Sequence, residues 1–104
     1  MKITTKTANG TSFYGSTIIA TPNQLKSILG PPSFIADGIE DKVNLIWDCE
    51  TDQGEVFTIY DWKEYRTVHM DEKITFNIGG FKSSVTEKIK WNLSLALELQ
   101  IHHN

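Results

Sequence analysis

Apolar and polar side chains alternate along EVFTIYD (55–61), with Phe57 and Ile59 on one side and Thr58 and Tyr60 on the other. That period of two marks a half-buried strand. The same alternation runs through KVNLIWDC (42–49), where Val43, Leu45 and Trp47 share a face, and Thr51-Asp52-Gln53-Gly54 between the two reads as a turn. A further strand is expected over Ile74–Ile78, ended by Gly79-Gly80. At the N-terminus, KITTKT (2–7) and SFYGSTIIA (12–20) are rich in β-branched residues and flank Asn9-Gly10, a type I′ hairpin signature. Gly15 inside the second of them predicts a bulge or a close backbone approach. Thr21 and Pro22 open a short helix that runs through QLKSIL to a Gly30-Pro31-Pro32 stop. Residues 33–41 read as a loop turning at Asp37-Gly38, and 63–71 as a polar connection. From Ser84 the period becomes helical, with Ser84-x-x-Glu87 as a capping box. The order ββαβββα predicts one α+β domain over residues 1–104, a small antiparallel sheet of about five strands with one short and one long C-terminal helix.

The long helix carries two apolar stripes. Val85, Ile89, Leu93, Ala96, Leu97 and Ile101 form the first, at spacings of three and four. Trp91, Leu95 and Leu99 form the second; Ser94, Glu87 and Glu98 separate the two on one side, Lys88 and Asn92 on the other. A helix on the surface of a monomer needs only one such stripe. The second predicts either a homo-oligomer (dimer or tetramer) built through this helix, or a cover supplied by the connection 33–41.

Composition narrows the function classes. Hydrophobic residues make up 39% of the 104 and charged residues 22%, the balance of a folded globular domain. No apolar run reaches the ~20 residues of a membrane span, MKITTKTANG has no apolar signal-peptide core, and the single cysteine, Cys49, excludes an internal disulfide. A reducing cytoplasm is expected. The net charge of −3 is unevenly spread: residues 1–31 hold lysines and no acid, 32–61 hold most of the acids against Lys42 alone, and 62–91 return to a slight basic excess. The acidic middle third argues against long DNA or RNA, which calls for a broad basic surface. A small anion in a local basic pocket stays open.

Catalytic arrangements are not expected, nor is a metal or cofactor. His69, His102 and His103 sit in no recognised motif, and Cys49 has no neighbouring cation to favour a thiolate. The acids of 32–61 read as a solvated face. Binding chemistry is better supported. FTIYDWKEYR (57–66) crowds Tyr60, Trp62, Lys63, Tyr65 and Arg66 where a strand ends. Aromatics on an open sheet face can stack on bases while Lys63 or Arg66 meets phosphate; equally, they could pack beneath the C-terminal helix. Phe76-Asn77-Ile78-Gly79-Gly80 leads through Phe81 and Lys82 into a helix start, which suits a phosphate or simply turns the chain.

The order and spacing of these segments over residues 10–80 resembles the small phage nucleotide sponges, the anti-CBASS and anti-Thoeris immune-evasion proteins. The resemblance lies in T-P-x-x-L-x-x-x-L-G-x-P (Thr21 to Pro32), K-V-x-x-x-W (Lys42 to Trp47), G-x-V-F-T-I-Y-D-W-K (Gly54 to Lys63) and F-x-I-G-G (Phe76 to Gly80). The C-terminal helix and residues 64–73 carry no pattern of that family. It implies a non-enzymatic homo-oligomer in the cytoplasm of the infected bacterial host, sequestering a signalling nucleotide at protomer boundaries. Such ligands include cyclic dinucleotides such as 3′,3′-cyclic GMP–AMP, and cyclic ADP-ribose isomers. The motifs carry over Tyr60, Trp62, Lys63, Asn77, Gly79 and Gly80 as ligand-binding positions. Charge and position add Arg66 and Lys82, and Phe13 and Tyr14 beside the bulge glycine are further candidates. Two rival classes are an acidic protein–protein inhibitor of a host defence nuclease and a phosphodiesterase, the latter disfavoured by the missing metal ligands.

Overall fold

The computed structural model describes residues 1–35, 45–61 and 68–103, with side chains to Gln100. Its elements run β1 (Lys2–Ile3), β2 (Ser12–Ala20), α1 (Pro22–Leu29), β3 (Phe34–Ile35), β4 (Leu45–Glu50), β5 (Val56–Asp61), β6 (Ile74–Gly80) and α2 (Ser83–His103). The fold is α+β: a six-stranded antiparallel sheet, five strands of it in the run β1-β4-β5-β6-β2 with β3 also on β4, and two helices. The alternation seen over 45–61 becomes the central pair β4–β5, with Trp47 opposite Ile59 and Cys49 opposite Phe57. β6 continues it, Ile78 opposite Ile59. The inward residues of these strands, with Ile18 and Ala20 of β2, meet Val85, Ile89, Leu93 and Leu97 of α2 and Leu25 and Leu29 of α1 in one core. Val43, on the expected face of 42–49, lies outside the described residues.

Trp47 anchors that core. It is fully buried, its ring meets Phe76 edge-on at 5.8 Å, and its indole N–H donates to the Gly30 carbonyl at 2.8 Å. That bond fixes the end of α1 against the sheet. At the other end of α1 the Thr21 hydroxyl accepts from the Gln24 amide at 3.0 Å while the Gln24 side chain accepts from the Thr21 amide at 2.8 Å. The cap is worth about 1 kcal/mol.

Four expectations are corrected. Residues 2–7 and 12–20 do not form a hairpin: β1 pairs with β4 and β2 pairs with β6, at opposite edges of the sheet. Asn9-Gly10 still turns the chain, with Thr11 N–H donating to the Ala8 carbonyl and Gly10 at φ 92°. Turn chemistry is local, whereas β6 offers β2 a partner from Ser12 opposite Gly80 to Ala20 opposite Ile74. Gly79 and Gly80 lie inside β6 and are not among the glycines with positive φ, so the pair is strand, not turn. The helix starts at Ser83, two residues before Val85, where a Ser84 cap would begin it; the Thr86 hydroxyl donates to the Ser83 carbonyl, and no Ser84–Glu87 reciprocal bond occurs among the described residues. Asp61 is not solvated: it is fully buried and accepts from the Leu45 amide at 2.7 Å, tying the start of β4 to the end of β5. The bulge at Gly15 is present, as a register shift between Phe13 and Thr17.

Along α2 the second stripe faces water. Trp91, Leu95 and Leu99 are 72%, 56% and 58% exposed. The described start of the 33–41 connection is β3, which lies beside β4, the strand pair farthest from the β2 edge. Residues 36–41 lie outside the described residues. Among the described residues no helix is long and apolar enough to cross a membrane.

Candidate functional site

Because α2 lies on the face of Phe57, Ile59, Phe76 and Ile78, the opposite parity of each strand forms a second sheet face. Four of the residues singled out in the sequence meet there. Tyr60 is directly opposite Asn77, and Phe13 is directly opposite Gly79. Thr17 flanks Asn77 from β2, and Ile46 flanks Tyr60 from β4. Phe13 is 47% exposed, while Tyr60 and Asn77 are partly buried.

Gly79 is what lets this face close up. A Cβ there would stand 2.5 Å from the Thr58 hydroxyl and 3.6 Å from a ring carbon of Tyr60. The missing side chain therefore admits protein groups, and Thr58 sits buried beside it. Gly80 has the same task on the other side of the sheet: a Cβ would lie 2.9 Å from the γ-methyl of Thr86, so it seats the first turn of α2 in the core and does not line the open face. Lys82 is exposed just before α2, at a depression lined by Gly54, Glu55, Phe81 and Val85, and is not grouped with Tyr60. Trp62, Lys63 and Arg66 lie outside the described residues.

Tyr14 is turned elsewhere. Its hydroxyl donates to the Phe81 carbonyl at 3.1 Å, and its ring lines a cleft of about 390 Å³ between β2 and α2. Gly15 and Ser16 complete the β2 side; Glu87, Lys90, Trp91 and Ser94 form the α2 side. Sequence reasoning missed Lys90 and Ser16 as site residues, used Ser94 only to divide the apolar stripes, and used Glu87 for that and for the Ser84-x-x-Glu87 box. The available signal was their spacing with Trp91: 87, 90, 91 and 94 share one helix face.

Among the described acids of 32–61, Glu50, Asp52, Glu55 and Asp61 make internal contacts. Glu50 is held below its ordinary value of 4.5, first by the hydrogen bond from the Thr4 hydroxyl at 2.7 Å, then by Lys6 and Lys2 at 3.3 and 3.4 Å. Glu55 is likewise lowered, chiefly by its hydrogen bond from Lys88. Burial, reinforced by Asp48, pushes the Cys49 thiol up to about 12, so it carries no nucleophilic thiolate at neutral pH. Among the described residues no group of three or more His, Cys, Asp or Glu could hold a metal ion. The chain matches no family model, no curated protein and no solved structure.

Proposed function

We propose that this protein is a phage nucleotide sponge, a non-enzymatic protein that sequesters a bacterial immune signal in the host cytoplasm. The favoured ligand is 3′,3′-cyclic GMP–AMP or a related cyclic dinucleotide, whose removal blocks CBASS effectors. The observation that carries the reading is the convergence of Tyr60, Asn77 and Phe13 on one sheet face, with Trp62 and Lys63 next in the chain after Asp61. Aromatic stacking contributes about 1–3 kcal/mol per base whatever the base, and a side-chain amide supplies both a donor and an acceptor for a base edge. Gly79 serves here by making room for the Thr58 hydroxyl beside Tyr60.

A second copy of the chain is proposed on the ridge of α2 at Leu95 and Leu99. That contact lies on the helix side of the sheet, so a two-fold pair built on it would leave one Tyr60–Asn77 face open on each chain. A cyclic ADP-ribose isomer is the alternative ligand of the same class. The nuclease-inhibitor reading is weakened by the charge arrangement, since Glu50 and Glu55 are neutralised by lysines and Asp61 is buried.

Calorimetric titration with 3′,3′-cyclic GMP–AMP tests the site. Tyr60→Ala, Trp62→Ala and Arg66→Ala are each expected to weaken binding at least tenfold, the scale of one lost stacking or charge contact. Unchanged affinity in all three would return the segment to ordinary packing.

A further inference from the structure

We propose that the cleft between β2 and α2 is a separate nucleotide site that prefers a guanine base. It lies on the helix side of the sheet, away from the Tyr60–Asn77 face, and stands independently of it. At about 390 Å³ it falls near the lower end of small-ligand pockets, the right scale for one nucleotide.

Trp91, Tyr14 and Gly15 give the cleft its shape. Trp91 is 72% exposed, although burying an indole is among the most favourable things a fold can do with it. Tyr14 is held by its hydrogen bond to the Phe81 carbonyl, so its ring is already ordered before any ligand arrives. Gly15, at the bulge, leaves open space: a Cβ built there meets nothing within 4 Å. Glu87, Lys90 and Trp91 stand at i, i+3 and i+4 of α2, which places an anion, a cation and a ring along one side of the cleft, while the Ser94 hydroxyl one turn on donates to the Lys90 carbonyl at 2.7 Å.

Glu87 and Lys90 are close enough along the helix to pair, yet no ion pair joins them among the described residues. They remain available to a ligand that has both a donor edge and a negative charge. A purine nucleotide stacked on Tyr14 or Trp91 meets that description. Guanine is selected because its N1–H and N2–H donors lie side by side and match the two oxygens of a carboxylate, whereas adenine places an acceptor beside its single amino group. Lys90 is assigned to the phosphate.

The test uses GMP, AMP and guanosine as probes and the isotope-labelled full chain in solution NMR. Saturable shifts are expected at the Trp91 indole N–H and at the Gly15 and Ser16 amides. GMP should bind about tenfold tighter than AMP, the discrimination of one bidentate contact. Glu87→Gln should abolish that preference, and Lys90→Met should reduce GMP to the affinity of guanosine. Both residues are exposed, so the variants are expected to fold, and their unchanged amide spectra away from the cleft would verify it. No shift at Trp91, equal affinity for GMP and AMP, or a preference retained in Glu87→Gln would each overturn the proposal.

Discussion

Adding one methyl group at Gly79 separates a packing role for this glycine from a phosphate-binding role. Its backbone is extended and outside the left-handed region, so Gly79→Ala introduces no backbone strain. Taken alone, the change would stabilise by about 0.5–1 kcal/mol through the unfolded chain. Against this stands a contact of 2.5 Å between the new Cβ and the Thr58 hydroxyl. Thr58 is buried, so it cannot swing away into water and the sheet must give. Overpacking of this kind costs about 1–3 kcal/mol. The net expectation is a loss of about 1–2 kcal/mol, or a fall of about 5–10 °C in Tm for a domain of this size. Urea and thermal unfolding of Gly79→Ala, Thr58→Ala and the double variant would measure it. Removing the Thr58 hydroxyl should relieve the overlap, giving a favourable coupling of about 1 kcal/mol in the double-mutant cycle. A Gly79→Ala protein as stable as the native one, with no coupling to Thr58, would refute the steric reasoning.

Two further outcomes follow from the titratable groups. The depressed Glu50 carboxylate contributes stability that is present above its ordinary value of 4.5 and is lost as pH falls through its lowered folded value. Glu50→Gln should therefore flatten the acid limb of the urea midpoint between about pH 5 and pH 2, and an unchanged limb would show that β1 is not tied to β4 by this charge. For Cys49, a rise from 9.0 to about 12 leaves about a thousandfold less thiolate at a given pH. A disulfide reagent at about pH 8 should label the native protein only as fast as it unfolds, and label it at once in denaturant; native labelling at the rate of a free thiol would contradict the burial of this strand.

The legible parts of the fold were those with local causes. Thr21, Pro22 and Gly30 punctuate α1 without help from the rest of the chain, and 45–61 alternates because each of its two strands has one face on the core. The outward stripe of Trp91, Leu95 and Leu99 was likewise visible, since helical spacing needs no tertiary knowledge. Pairing was not legible. Asn9-Gly10 has the chemistry of a hairpin turn, but the partner of β2 is chosen by β6 from across the chain. Gly79-Gly80 reads as punctuation in the sequence because its reasons, Thr58 on one face and Thr86 on the other, are distant along the chain. The same holds for Asp61, whose burial follows from the Leu45 amide it caps. For the site, the period of two along β5 and β6 puts Tyr60 and Asn77 on one face, while Trp62, Lys63 and Arg66 lie outside the described residues. Lys82, Gly80 and Tyr14 lie elsewhere, and the cleft residues of α2 are brought into one site only by β2 beside them.

The most direct test of sequestration is a titration of the purified protein against cyclic dinucleotides, cyclic trinucleotides and cyclic ADP-ribose isomers, followed by heat denaturation and analysis of what is released. Tight binding of 3′,3′-cyclic GMP–AMP or a related cyclic dinucleotide, recovered chemically intact, is the expected result. Release of a cleaved product would make the protein an enzyme, and no binding across the panel would contradict the sponge reading altogether.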